Sequence, residues 1–346
     1  MRKRNTGPWS ALRAALPALL LAGAGVAWAA GLAPQDAAKL LQSPALVRPY
    51  AGEEMVLGVA QAGRRTVAVG DHGAVLLSDD GGRTFRQAKS VPTRVTLTAV
   101  AFGDASNGWA VGHGGVIVHT ADAGETWQLQ RSEMQVDRPL FTVHFSDARH
   151  GVAAGLWSLL LVTADGGSTW TPVALPPPPE GGKADRNLFA AFGDGKGALF
   201  IAAERGTVLR SDDGGGTWTY LSTGYKGSFW TGCVLADGTL VVAGLRGTIY
   251  RSSDGGRNWQ PATSGTKSSI TQIAQVGDRV VAVGLDGVQL QSRDGGASFT
   301  AAQRDDSLVL TALSVAGDGK VRLYSKRGVV ADPAPAASAA APGGRP

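Results

Sequence analysis

Residues 211–220 read SDDGGGTWTY, with two aspartates, three glycines, two threonines and a tryptophan among ten positions. Three kinds of chemistry draw on that composition. A calcium loop of the EF-hand type places ligands at alternate positions and closes with a bidentate Glu at the twelfth, and no such Glu follows here. A phosphate cradle is a Gly-rich loop that opens a helix and carries Lys and Ser/Thr after it, whereas a strand-like run follows here. A tight turn needs only an Asp that accepts hydrogen bonds from its own backbone and glycines that take positive φ. The turn is the reading these residues satisfy.

Five relatives support it: SDDGGRTF from Ser78, TADAGETW from Thr120, TADGGSTW from Thr163, SSDGGRNW from Ser252 and SRDGGASF from Ser292. Their aspartates, Asp80, Asp122, Asp165, Asp213, Asp254 and Asp294, are spaced by 42, 43, 48, 41 and 40 residues. A period of about forty is that of a β-propeller blade. The eight residues resemble the Asp-box, a hairpin motif of sialidases and other propeller proteins. The aromatic that ends each copy, Phe85, Trp127, Trp170, Trp218, Trp259 or Phe299, is expected to begin an outer strand and wedge between blades.

The elements that position these turns share one grammar. The second unit runs TAVAF, GWAVG, GVIVHT, the motif, then WQLQ, four short runs separated by turns, as a four-stranded antiparallel blade requires. The fold class is therefore all-β, a seven-bladed propeller of four-stranded blades over residues 45–330. The long step of 48 contains PPPPEGGKADR (Pro176 to Arg186), expected as a protruding loop. After the sixth motif the pattern supplies three strands and stops. The segment SPALVRPYAG (Ser43 to Gly52) is expected to complete the seventh blade and so remove two sheet edges.

The termini are of another kind. Residues 1–29 have a basic start (Arg2, Lys3, Arg4), an apolar run and the small-x-small close Ala27-Trp28-Ala29, the form of a cleaved export signal. An uncleaved anchor is the competing reading, but Pro17 interrupts a run already short for a span. Export to the periplasm or outside the cell is expected. Cleavage removes four of the 33 basic residues and none of the 28 acidic ones, leaving a mature charge of +1. The basic pI thus belongs mostly to the signal, and nucleic-acid binding is not expected. Residues 331–346, rich in Ala and Pro, read as a disordered tail. The lone Cys233 reads as a small core residue.

Function is sought on the face opposite the Asp-box hairpins. There the turns joining second to third strands read GDHG, GHGG, GLWS, AERG, GLRG, GLDG and SKRG. Their third positions project His72, Gly114, Trp157, Arg205, Arg246, Asp286 and Arg327. Arginines there suit bidentate binding of carboxylate or phosphate, and equally they are solvated turn residues with local ion pairs. With the blade-to-blade loops, counted to include Arg86 and Lys89, this face carries fourteen basic residues against nine acidic ones. Such a face suits an acidic partner, with Trp157 and the YKGSFW loop (Tyr225 to Trp230) as aromatic anchors.

Over residues 45–330, with GGVIVHTADAGETW as a typical repeat, the chain resembles the photosystem II stability and assembly factor family. The resemblance implies a non-catalytic propeller that binds membrane-protein subunits during assembly. The family's arginine-rich face corresponds to Arg205, Arg246 and Arg327, while His72, Gly114 and Trp157 depart from it. The expected partner is a periplasmic segment of a membrane protein, the protein is expected to be monomeric, and neither cofactor nor metal is expected. The alternative is a glycoside hydrolase, sialidase-like or xyloglucanase-like. It needs an arginine triad with a Tyr/Glu pair, or two facing carboxylates, for which only Asp71 and Asp286 are placed.

Overall fold

The computed structural model describes Lys39 and residues 43–133, 136–317 and 319–331. The export signal and the tail beyond Ala331 lie outside the described residues. The repeats form seven antiparallel blades. Six have four strands and the seventh has three, Leu310–Val315, Val321–Ser325 and Gly328–Val329. The innermost strands, Val56–Ala62, Leu97–Phe102, Leu140–Phe145, Leu188–Gly193, Phe229–Val234, Ile270–Val276 and Leu310–Val315, touch their neighbours in turn, and the last meets the first. Second strands such as Gly108–Gly112 and Leu240–Gly244 are buried along their whole length. A strand covered by blades on both sides reads as continuous apolar sequence rather than as alternation.

The core therefore lies between blades rather than within them. Trp127 packs with Val67 and Leu77 of the first blade, Trp218 with Val152 and Leu160 of the third, and Phe299 with Val241 and Ile249 of the fifth. Each Asp-box aromatic wedges its own blade against the preceding one. Burying such a ring removes roughly 150–250 Å² from water.

One hydrogen-bond pattern recurs in all six hairpins. The leading Ser or Thr hydroxyl donates to the Asp Oδ1 at 2.7–2.9 Å. The same hydroxyl accepts from the N–H of the glycine four residues after it, at 2.8–2.9 Å. Oδ1 also accepts the N–H four residues on, at 2.9–3.0 Å. In three copies the indole N–H of Trp127, Trp218 or Trp259 returns to the carbonyl of that same glycine at 2.8–2.9 Å.

Closure of the ring differs from expectation. Segment 43–52 adds no strand to the seventh blade. Instead Ala45 N–H donates to Val91 O at 2.9 Å, and Gln87 Nε2 donates to Leu46 O at 2.9 Å, along the first blade's outer edge. A short turn, Ala51–Glu53, then fills the seam, burying Ala51 beside Ala312, Tyr324 and Leu76. Side chains finish the join. Thr311 Oγ1 donates to Val56 O, Arg322 Nε donates to Gly81 O at 3.0 Å, and Phe85 meets Tyr324 edge-on at 6.1 Å. The physical reason is that an inter-blade core with cross-seam hydrogen bonds closes the ring without a shared sheet.

The repeats' irregularities leave two further marks on the fold. The seventh blade has no Asp-box aromatic, and a cavity of about 960 Å³ opens between it and the sixth, lined by Arg279, Arg293, Asp294, Lys320 and Leu323. The insertion Pro176–Arg186 is exposed along most of its length and anchored at its two ends. Tyr220 Oη donates to Pro176 O at 3.0 Å, Arg186 pairs with Glu180, and the buried Arg186 guanidinium lies 5.0 Å from the Tyr220 ring centre.

Candidate docking face

The turns between second and third strands all lie on the face away from the Asp-boxes, one per blade. Five of their third residues are non-glycine and left-handed: His72 (φ 57°), Trp157 (51°), Arg205 (56°), Arg246 (56°) and Asp286 (57°). That region disfavours residues with a Cβ. The loop entering the next blade holds the conformation in place. At Gly206 (φ 63°) a Cβ would stand 2.0 Å from Tyr225 O, so this loop closes directly over the turn. It also accepts the turn's N–H: Asp137 Oδ1 from Gly114 at 3.2 Å, Asn187 Oδ1 from Trp157 at 3.1 Å and Ser269 Oγ from Arg246 at 3.1 Å. Arg327 is outside the left-handed region, its N–H donating to Ser325 Oγ at 3.0 Å.

All six sequence-predicted face residues are exposed. They form a ring, one to a blade, rather than a single cluster. His72 Nδ1 lies 3.5 Å from Glu54, Arg205 lies 3.6 Å from the equally exposed Asp185, and Asp286 accepts from Ser268 Oγ at 2.9 Å. Arg246 and Arg327 have no side-chain partner among the described residues. Trp157 stands 56 % exposed. The third and fourth blades are tied together here, because Asn187, which holds the Trp157 turn, also donates to Glu204 Oε1 from Nδ2 at 2.9 Å.

Two of the basic residues expected on this face stand elsewhere. Arg86 and Lys89 belong to the opposite face, where they pair with Glu125 of the second Asp-box hairpin in a network that includes Asp79 and Arg65. The strand carrying Arg86 starts directly after the first Asp-box, so its first residue points back to that end. Arg48, Glu53 and Glu54 join the docking face through the Glu54 contacts with Arg48 and His72. Fourteen basic against nine acidic residues thus becomes thirteen against eleven. Of the expected anchors, Tyr225 is packed against Phe229 and Tyr250, with its hydroxyl donating to Leu245 O at 3.4 Å. Trp230 is half-buried.

The inner strands hold further residues that belong to no repeated motif. Each has a β-bulge near its start, on the docking face, as the register breaks at Val56/Gly58, Leu97/Ala99, Leu188/Ala190, Phe229/Thr231, Ile270/Gln272 and Leu310/Ala312 and opposite Ala154/Gly155. The extra residues are Leu57, Thr98, Phe141, Phe189, Trp230, Thr271 and Thr311. Aligning the repeats on their first strands would have exposed the aromatic run at the third to fifth blades.

The carboxylates a hydrolase would use are tied up separately: Asp71 accepts from Thr96 Oγ1 at 3.0 Å on the first blade, and Asp286 serves Ser268 on the sixth. Among the described residues no group of His, Cys, Asp and Glu is arranged to hold a metal.

Comparison with known proteins agrees with this architecture. The solved structure of YCF48 bound to a D1 peptide has a TM-score of 0.66 and 16 % identity, over 82 % of this chain and 94 % of that one. YCF48 from Cyanidioschyzon merolae has a TM-score of 0.63 and 16 % identity, over 83 % and 97 %. No curated protein matches in sequence. A family model, the photosynthesis system II assembly factor YCF48, matches residues 87–229 and 128–331. Over most of its length, then, this chain belongs to the YCF48 family.

Proposed function

We propose that this protein is an exported, non-catalytic docking factor that holds an acidic segment of a membrane-protein subunit while its complex is assembled. The observation that carries this reading is the pair of exposed arginines without partners among the described residues, Arg246 and Arg327, on the same face as Arg205. A fixed turn presents Arg246 at little further entropic cost, and a guanidinium fork matches a carboxylate. The related YCF48 bound to a D1 peptide supports a polypeptide as the ligand class. The basic start and small-x-small close of residues 1–29 support export.

The test is affinity capture from a detergent-solubilised envelope with the purified mature protein and with Arg205→Glu, Arg246→Glu and Arg327→Glu combined. Wild type is expected to retain a membrane-protein subunit that the triple variant loses. Equal recovery by both removes the arginine face from the mechanism. Turnover of aryl-glycosides by the purified protein would replace the reading with a hydrolase. N-terminal sequencing of the exported form is expected to start near Ala30.

A further inference from the structure

The bulge residues are unevenly distributed round the ring: three neighbouring blades carry aromatic rings, while of the other four, three carry threonine and the first carries Leu57. Thr98, Thr271 and Thr311 turn their hydroxyls onto the first carbonyl of the next inner strand, Leu140 O at 2.7 Å, Leu310 O at 2.9 Å and Val56 O respectively. On the third, fourth and fifth blades the same position is Phe141, Phe189 and Trp230, which have no hydroxyl to give. These three are half-buried and belong to none of the inter-blade cores. Phe141 and Phe189 stack across the blade boundary, 5.7 Å between centroids and 16° between planes. Bulges re-aim side chains at sheet rims and beside binding sites, and here they put three large, half-buried rings at the docking-face ends of three neighbouring inner strands.

Strand register puts charge beside them. Phe189 lies opposite Ala202 and Ala203, just before Arg205, and Trp230 lies opposite Ala243 and Gly244, just before Arg246. Phe141 is likewise opposite Ala154 and Gly155, before the exposed Trp157. Arg138, in the loop leading to Phe141, has a buried Nε without a hydrogen-bond partner. Apolar rings rimmed by cations fit a ligand with both an apolar side chain and carboxylates.

We propose that the docked acidic segment inserts an aromatic or long aliphatic side chain onto Phe141, Phe189 and Trp230, with its carboxylates on Arg205 and Arg246. This rests on the docking function proposed above and adds the sector used and the side chain selected.

The experiment is calorimetric titration of the intact mature protein with two Asp/Glu-rich peptides that differ only in a central Phe or Ser. The Phe peptide is expected to bind about tenfold tighter, the worth of one well-buried apolar side chain discounted for partial burial. Phe189→Ala and Trp230→Ala should bring the two affinities within about twofold of each other, while Arg246→Glu weakens both alike. Melting curves check folding, and Trp230→Phe, which keeps a ring, should retain the preference. Equal binding of both peptides by wild type, with both lost in the arginine variant, overturns the aromatic sector and leaves the docking face standing. Binding of neither peptide overturns both. Binding of an oligosaccharide instead, abolished by Trp230→Ala, reassigns the rings to a sugar platform.

Discussion

Asp213 and its five counterparts act as turn scaffolds whose charge is part of the turn. Hydrogen bonds from the Thr217 backbone, the Thr217 hydroxyl and the Ser211 hydroxyl pull the Asp213 carboxyl down to about 2, and those from Asn258 and Ser252 do the same for Asp254. The other four are shifted in the same direction. A carboxyl held below its unfolded value stabilises the fold where it is ionised, and that contribution is lost as pH falls through the folded value. Urea midpoints are therefore expected to stay level from about pH 7 to 5 and to drop steadily below about pH 4. A flat profile down to about pH 2.5 would contradict this account of the hairpins. The left-handed face residues make the opposite expectation. Trp157→Gly relieves backbone strain and should raise stability by up to about 1 kcal/mol in urea unfolding while weakening capture of the partner.

Six of the seven blade boundaries are held by one aromatic wedge and a few hydrogen bonds, so the cost of a substitution depends on which boundary it serves. Trp218 is 4 % exposed with its indole bonded to Gly215 O at 2.8 Å, whereas the half-buried Trp170 reaches only the Gln130 side chain at 3.4 Å. Trp218→Ala should cost about 3–5 kcal/mol and Trp170→Ala clearly less, by chemical denaturation. The closing seam has Tyr324, fully buried against Phe85, in place of a shared strand. Tyr324→Ala should therefore accelerate amide exchange first in the first and seventh blades, and uniform acceleration round the ring would show that the seam is not a separate unit. The cavity beside the sixth blade marks where the wedge is missing.

As a disc, the molecule puts its hairpins and that cavity on one side and its arginine turns and aromatic bulges on the other. With thirteen basic against eleven acidic residues, the docking face has little net field. Affinity should then come from local arginine and ring contacts rather than long-range steering. Association rates for the partner segment, by surface plasmon resonance, should fall only a few-fold between about 0.05 and 0.3 M salt. A loss of two orders of magnitude would restore the picture of a strongly polarised disc.

The blade count, the hairpin chemistry and the face on which His72, Trp157, Arg205, Arg246, Asp286 and Arg327 stand were legible in the chain, because each depends on bonds within a few residues and on a period that repeats. Asp213 meets Ser211 and Thr217 whatever the rest of the molecule does. What joins distant segments was not legible. Thr311 reaches Val56 across 255 residues, Arg86 finds Glu125 on the next blade, and Phe141 finds Phe189 only once two bulged strands lie side by side. Local hydrogen bonding specifies the repeat, but packing between blades decides how the ring closes, which charges share a face and which rings are left without a core.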